Sequence, residues 1–261
     1  MGADVSAIRH FRGLTRTLGF AALSLLWAGV ARADDACRFV NVGAATVQSV
    51  SEAGIILADG RTVRLAGIEL ANTALQLPSG TRLTLKRLSS APETDRYGRL
   101  NAHVFIAEND PEHWLQADLV SKGAARVSSR VGDPACAREL LAREQAARAA
   151  KLGLWGEPVY VMGKAEDHSE VLKSRGQFTL VEGRVLSVRE SGGTIYVNFG
   201  RRWSEDFTVT IAKRNERVFT AAGLEPKSLS GRRVRVRGWI EERGGPWVEA
   251  ARPEQIEVLE K

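Results

Sequence analysis

The sequence predicts a mainly β protein with helices, in which two small β-barrels follow one another along the chain. Short runs of β-branched and aliphatic residues recur between 38 and 106, with turn residues between them. Helical patterns follow over 112–122 and 134–151, and strand patterns return from residue 177 onward. An apolar content of 44% and a charged content of 26% are ordinary for a globular protein.

The first 33 residues are typical of a secretory signal. Arginines precede an apolar run over 18–30, and small residues stand at 31 and 33. A transmembrane helix needs roughly 20 apolar residues, so this run is too short to span a bilayer. We expect cleavage after Ala33 and export to the periplasm or the medium. An uncleaved N-terminal anchor is the alternative.

The signal segment also supplies part of the basic character. The whole chain has a formal net charge of +6. Beyond residue 33 there remain 33 basic and 30 acidic residues, a net charge of +3. A balanced mixture of charges is typical of a solvated surface, so composition by itself gives little support for a polyanionic partner.

Cys37 and Cys136 are the two cysteines. In an oxidising compartment such a pair is more often bridged than free. A disulfide would join the first strand to the start of the second helix. Two cysteines without nearby histidines do not form a zinc cage, so we expect no zinc site.

The first barrel is predicted from five strands: three within 38–68, one over 81–88 and one over 100–106. Ala58-Asp59-Gly60-Arg61 is a hairpin signal within this stretch. Alternation over 62–65 directs Val63 and Leu65 into the core. The order of these strands predicts a small antiparallel barrel.

Two helices follow the barrel. Apolar residues recur at helical spacing over 112–122, and Gly123 marks the end of that helix. Pro134 stands near the start of the helix over 134–151. The predicted buried stripe of this second helix consists of Leu140, Leu141, Ala147 and Ala150.

Four segments in this region, taken in order, resemble the thermonuclease (staphylococcal-nuclease-like) family. They are VRLAGIE (63–69), TDRYGR (94–99), LVSKGAARV (119–127) and AKLGLW (150–155). The resemblance covers 37–157. It implies an OB-type five-stranded barrel with C-terminal helices, and phosphodiester hydrolysis of nucleic acid.

The resemblance implies a site in which Arg64 and Arg99 clamp a phosphate and Glu69 is a catalytic carboxylate. Arginine suits a clamp because its planar fork pairs two phosphate oxygens at once. A calcium ion is also implied, with Glu69 and the backbone carbonyl of Leu70 as ligands.

The acidic part of that site departs from the family pattern. Asn72 stands where the family has its catalytic glutamate, and a carboxamide cannot take a proton from water at neutral pH. Ala53 stands where a second calcium-binding aspartate is expected, and Glu52 substitutes for it only if the hairpin register shifts. Ser129 and Val131 replace the aromatic residues that stack on a base.

Residues 158–176 are predicted to form a linker, and 177–261 a second barrel. Strands over 177–189, 194–199 and 206–212, a helix over 213–223, and strands over 232–242 and 247–259 follow the order of an OB fold. The segment 236–249 also resembles the end of bacterial OB modules.

Arg233, Arg235 and Arg237 alternate with small or apolar residues and line up one basic face. With aromatic residues on the same face, such a barrel holds single-stranded nucleic acid. The alternative is that the aromatics belong to the core. The candidates are Tyr196, Phe199, Trp203, Trp239 and Trp247.

Three functions remain open at this point. The first is a divergent, metal-dependent nuclease with a degraded active site. The second is a non-catalytic protein that binds nucleic acid or another polyanion. The third is an interaction protein of the cell envelope that uses the two barrels as a scaffold.

Overall fold

A computed structural model describes residues 37–71, 75–89, 91–107, 111–157, 162–202 and 204–259. The predicted signal with its cleavage site at Ala33 lies outside the described residues, as do Asn72 and Trp203. None of the helices in these ranges has the length and apolar character needed to cross a membrane.

Eight strands belong to the first part of the chain. They are β1 (Val40–Ser51), β2 (Gly54–Leu57), β3 (Thr62–Leu65), β4 (Ile68–Leu70), β5 (Arg82–Arg87), β6 (Leu100–Ile106), β7 (His113–Trp114) and β8 (Ala125–Val127). Strands β1, β2, β3, β6 and β5 pair in a closed ring, which is the predicted five-stranded barrel.

One pairing in this ring is parallel, whereas the strand order alone predicts an antiparallel barrel. Strands β3 and β6 run in the same direction, with Val63 opposite Leu100. The reason is topological, because a closed ring with an odd number of strands cannot alternate direction at every step. Val63 and Leu65 are buried in the core, as predicted.

A small aromatic group closes part of this core. The ring of His103 lies 4.9 Å from that of Phe39 and 5.5 Å from that of Trp114, centroid to centroid. His103 is buried, and neither of its ring nitrogens has a hydrogen-bond partner among the described residues. Desolvation lowers the pKa of this imidazole to about 4, so the ring is neutral at physiological pH.

Helices α1 (Leu115–Ser121) and α2 (Pro134–Ala149) pack beside the barrel. Asp133 caps α2, since its carboxylate accepts hydrogen bonds from the backbone of Ala135 and Cys136. Cys136 is in turn bonded to Cys37, so the predicted disulfide is present and joins residues 99 positions apart.

The predicted buried stripe of α2 is correct in part. Leu140 and Ala147 are buried and Leu141 is half-buried. Ala150 is exposed, because the helix ends at Ala149 and Ala150 is its C-cap. The buried face of α2 also includes a charged residue, Glu144, which the apolar pattern did not include.

The second part of the chain also consists mainly of strands. Its elements are β9 (Gly163–Lys164), α3 (His168–Lys173), β10 (Phe178–Arg184), β11 (Ser187–Ser191), β12 (Thr194–Asn198), β13 (Thr208–Ala212), α4 (Glu216–Ala221), β14 (Arg233–Trp239), β15 (Glu241–Arg243), β16 (Gly245–Glu249) and β17 (Ile256–Val258). They form a four-stranded sheet, β17-β14-β10-β9, and a five-stranded sheet, β11-β12-β13-β16-β15.

The segment predicted as a linker carries regular structure in its described part. Strand β9 pairs in parallel with β10, and α3 buries Val171 in the core of this second part. From Cys37 onward the described residues form one compact unit. The OB-like description of the second module remains a prediction.

Candidate functional site

Arg64 lies on β3 and Arg99 directly precedes β6, and these two strands close the first barrel. Arg64 is on β3, between the buried residues Val63 and Leu65, so its side chain points out of the barrel. Arg99 immediately precedes Leu100, the residue of β6 that pairs with Val63. The structure therefore brings the two arginines that are predicted to clamp a phosphate to the strand pair β3–β6, with Arg64 within β3 and Arg99 just before β6.

Glu69 is brought back beside Arg64 by a tight turn. Gly67 in this turn has a φ of +77°, and a Cβ there would contact the ring of His103 at 3.4 Å. Glu69 follows on β4, and its Oε1 lies 3.3 Å from Nη2 of Arg64. Arg64 is 38% exposed and Glu69 is 19% exposed, so this ion pair borders solvent.

Glu69 has a second partner across the strand pair formed by β4 and β8. The hydroxyl of Ser128 donates a hydrogen bond to Glu69 Oε1 at 3.1 Å. On β8 the residue directly opposite Glu69 is Arg126. The predicted metal ligand Leu70 is the next residue on β4, and it is 40% exposed.

Arg99 is held in place by the loop that precedes it. Its Nε donates to Asp95 Oδ2 at 2.7 Å, and its Nη1 donates to the carbonyl of Ala53 at 2.9 Å. Burial acts to raise the pKa of Asp95, but hydrogen bonds from the Arg99 guanidinium and from the backbone of Tyr97 and Arg99 outweigh it and hold that pKa below its usual value. Asp95 thus orients the clamp residue as a fixed anion.

Asn101 is a site neighbour that motif comparison did not single out. It lies directly opposite Arg64 in the register of β3 and β6. Its Oδ1 is buried without a hydrogen-bond partner among the described residues. The sequence signal that could have identified Asn101 is its position two residues after Arg99, since alternate residues of a strand share one face.

The oxygen atoms around Glu69, in the hydrogen bonds that they form here, do not fit a calcium ion. Calcium takes six to eight oxygen ligands, with several carboxylates among them. Here Oε1 of Glu69 is engaged by Arg64 and Ser128, and the carbonyl of Ala53 accepts from Arg99. Across the described ranges, no three His, Cys, Asp or Glu side chains are grouped so as to hold a metal.

Strand β8 links this site to the second module. Nη1 of Arg126 donates to the carbonyl of Phe178 at 2.7 Å, and the Arg126 guanidinium lies 5.3 Å from the Phe178 ring centroid. At the next residue, the carbonyl of Val127 accepts from Nη1 of Arg237 at 3.0 Å. Consecutive residues of β8 therefore contact the second module beside Glu69.

Arg237 does not lie on an exposed basic face, which corrects the interpretation of the alternating arginines. It is completely buried and donates to both carboxylate oxygens of Glu144 at 3.0 Å. Burial acts to lower the pKa of its guanidinium, but Glu144 and Glu257 raise it above its ordinary value. The arginine holds α2 against the second module.

The other two arginines of this row are also paired. Arg235 donates to Glu182 at 2.9 Å and to Glu257 at 3.0 Å, and Arg233 contacts Glu182 at 3.3 Å. Arg148 of α2 completes the network through Glu257, at 2.9 Å. The three alternating arginines were predicted to form a nucleic-acid-binding surface, but they mainly form an ion-pair network within the protein.

A family comparison covers the part of the chain that contains Arg64, Glu69 and Arg99. Residues 63–157 match the model of the family described as staphylococcal nuclease homologue. The matched segment begins at the strand that carries Arg64 and includes Glu69 and Arg99. No curated protein matches the chain. Residues 63–157 are therefore a staphylococcal-nuclease-like domain, which suggests a nuclease or nucleic-acid-binding role.

Proposed function

We propose that this domain binds the phosphate backbone of nucleic acid through Arg64 and Arg99. The observation that carries the proposal is that Arg64 lies on β3 and Arg99 directly precedes the paired strand β6, within the segment that matches the nuclease family. Phosphate contacts of this kind dominate the affinity of proteins for nucleic acid.

Arg64 retains most of its hydrogen-bonding capacity for a ligand. Its one ion pair among the described residues is the 3.3 Å contact with Glu69, at a position that borders solvent. Exposed pairs of this type contribute little to stability, typically below about 1 kcal/mol. A phosphate can therefore replace Glu69 as the partner of Arg64 at small cost.

Arg99 contributes an oriented group rather than a mobile one. A guanidinium carries five N–H donors. Asp95 takes one from Nε and one from Nη2, and Ala53 takes one from Nη1, which leaves two for a ligand. Because the loop already fixes the side chain, binding costs less conformational entropy than it does for a free arginine.

Divergent hydrolysis of phosphodiesters is the second candidate. The observation that favours it is the Glu69 carboxylate beside Arg64, since a carboxylate next to a bound phosphate can act on an attacking water. The family resemblance implies calcium with Glu69 and Leu70 as ligands. The oxygen atoms described here do not form a calcium site, so the proposed hydrolysis does not include that ion.

Export of the chain is part of the same proposal. It rests on the predicted signal over 1–33 with cleavage after Ala33. The disulfide between Cys37 and Cys136 is compatible with an oxidising compartment. If nucleic acid does not bind, the favoured hypothesis becomes a protein-interaction role in the cell envelope.

Binding and cleavage assays on the purified chain test the proposal. Arg64→Ala and Arg99→Ala should each weaken binding of single-stranded DNA and RNA and reduce the slope of log K against log salt by about one unit. Arg143→Ala is the matched control, because Arg143 forms a similar surface pair with Glu139 at 2.9 Å on α2. Affinity that is absent, or equally reduced by the control, would refute phosphate binding.

Cleavage separates the two candidates. Hydrolysis in the presence of divalent cations that is abolished by both Arg99→Ala and Glu69→Gln would favour the nuclease. Binding without cleavage would favour the non-catalytic protein.

A further inference from the structure

Trp239 is a large aromatic side chain left on the surface of the second module. It is the last residue of β14 and is 50% exposed. By contrast, Phe199, Phe207, Phe219 and Trp247 of the same module are buried. Leaving half of an indole in water forgoes much of its hydrophobic stabilisation and leaves aromatic surface available to a ligand.

The indole of Trp239 packs against a buried aromatic ring. Phe178 lies directly opposite it in the register of β10 and β14. The two ring centroids are 6.3 Å apart at an interplanar angle of 67°, an edge-to-face arrangement. Phe178 itself is buried. Trp239 is thus held by a rigid sheet rather than by a loop.

A short series of contacts joins Trp239 to the candidate phosphate site. The Arg126 guanidinium lies 5.3 Å from the Phe178 ring and donates to the Phe178 carbonyl. Arg126 is directly opposite Glu69 on the strand pair β4 and β8, and Glu69 contacts Arg64. Contacts therefore run from the exposed indole through Phe178 and Arg126 to Glu69, the ion-pair partner of Arg64.

We propose that Trp239 is a stacking platform for a nucleobase of a single strand whose phosphates bind at Arg64 and Arg99. The inference rests on the proposed function and specifies its substrate class. Arginines alone do not distinguish nucleic acid from other polyanions. An adjacent flat aromatic surface does, because every base has a π-face that can stack on it, and only an unpaired strand has that face available.

The experiment compares two ligands that share a phosphate backbone. One is a single-stranded DNA oligonucleotide, and the other is an oligomer of the same length built from abasic sites. Trp239→Ala should weaken binding of the first by about tenfold, from the loss of one stacked base. Binding of the abasic oligomer and the salt dependence of both should stay unchanged. Trp239→Phe, which keeps a ring, should retain most of the affinity.

Tyr196→Ala is the matched control, since Tyr196 is another exposed aromatic of the same module, 37% exposed on β12. It should leave both affinities unchanged. Equal losses on the base-containing and abasic ligands, or no loss with Trp239→Ala, would overturn the stacking site.

The two proposals fail in different ways. If Arg64→Ala weakens binding while Trp239→Ala has no effect, phosphate binding stands and the stacking site is wrong. If the unmodified protein binds neither ligand in a salt-dependent manner, the proposed function fails and the stacking site fails with it.

Discussion

Arg237 and Glu144 form a bidentate ion pair in which neither side chain has any exposed surface. The arginine belongs to β14 and the glutamate to α2, which are 93 residues apart in sequence. Glu144 Oε2 also accepts from the backbone of Val127 at 2.6 Å, so the pair fixes the strand that runs past Glu69. A charge pair at this depth is costly to break, because the charge that remains stays buried and loses its bidentate partner.

We therefore expect Arg237→Met to destabilise the protein by about 3–5 kcal/mol, the range for removing one member of a buried pair. Chemical denaturation measures the change. Arg233→Ala is the control on the same strand: Arg233 is 54% exposed and its pair with Glu182 should contribute no more than about 1 kcal/mol. Similar losses in the two variants would show that the buried pair is not the main bond between α2 and the second module.

Acid should weaken the same network through Glu257. Burial acts to raise the pKa of this carboxylate, but Arg237, Arg148 and Arg235 lower it to about 2. Because the folded pKa lies below the unfolded value of 4.5, the stabilisation is complete above pH 4.5 and is lost as the pH falls toward 2. The expected loss is about 3 kcal/mol.

Glu257→Gln should flatten the dependence of the unfolding free energy on pH within that window and leave its shape above pH 5 unchanged. Denaturant titrations at a series of pH values give the curve. A wild-type slope that persists in the variant between pH 4.5 and pH 2 would assign the acid sensitivity to other carboxylates.

His103 should act in a separate, higher window. Its folded pKa of about 4 lies below the ordinary value of 6.5, because the ring is buried without a hydrogen-bond partner among the described residues. Protonation is favoured in the unfolded chain, so stability is highest above pH 6.5 and falls as the pH drops toward 4. The difference amounts to about 3 kcal/mol over the window.

His103→Phe removes the titrating group and keeps an aromatic ring beside Phe39 and Trp114. The variant should lose the slope between pH 6.5 and pH 4.5 and should keep the slope that Glu257 produces below pH 4.5. Parallel curves for the variant and the wild type across the upper window would contradict the assignment to His103.

Local sequence patterns, such as the alternation of apolar and polar residues, predicted most of the first barrel. The alternation at Val63 and Leu65 reports burial directly, because each strand residue has one of two faces. Arg64, Arg99 and Glu69 were found from motifs, and the structure places them at one edge of the barrel. The parallel pairing of β3 with β6 was missed because no local pattern shows strand direction, although closing a ring of the five predicted strands already requires one parallel pair.

The ion pair that joins the two modules could not be predicted from sequence patterns, for a different reason. Glu144 and Arg237 each look like a solvated charge, since charged side chains are seldom fully buried unless they are paired. Only the three-dimensional contact between α2 and β14 reveals that each is the partner of the other. Trp239 is the reverse case: the sequence left open whether it lies on an aromatic face or in the core, and the structure exposes half of it.

The disulfide between Cys37 and Cys136 should make a large contribution to stability, because it closes a long loop. The two residues are 99 positions apart. For a loop of this length the chain-entropy model gives about 4–5 kcal/mol, which comes from restricting the unfolded chain and so does not require any strained native contact. The double variant Cys37→Ser/Cys136→Ser should lose up to this amount in chemical denaturation, and treatment with a reductant should destabilise the wild type but leave the variant unchanged. If the reductant alters both proteins equally, its effect does not pass through this bond; if it alters neither, the first strand is held to α2 by packing alone.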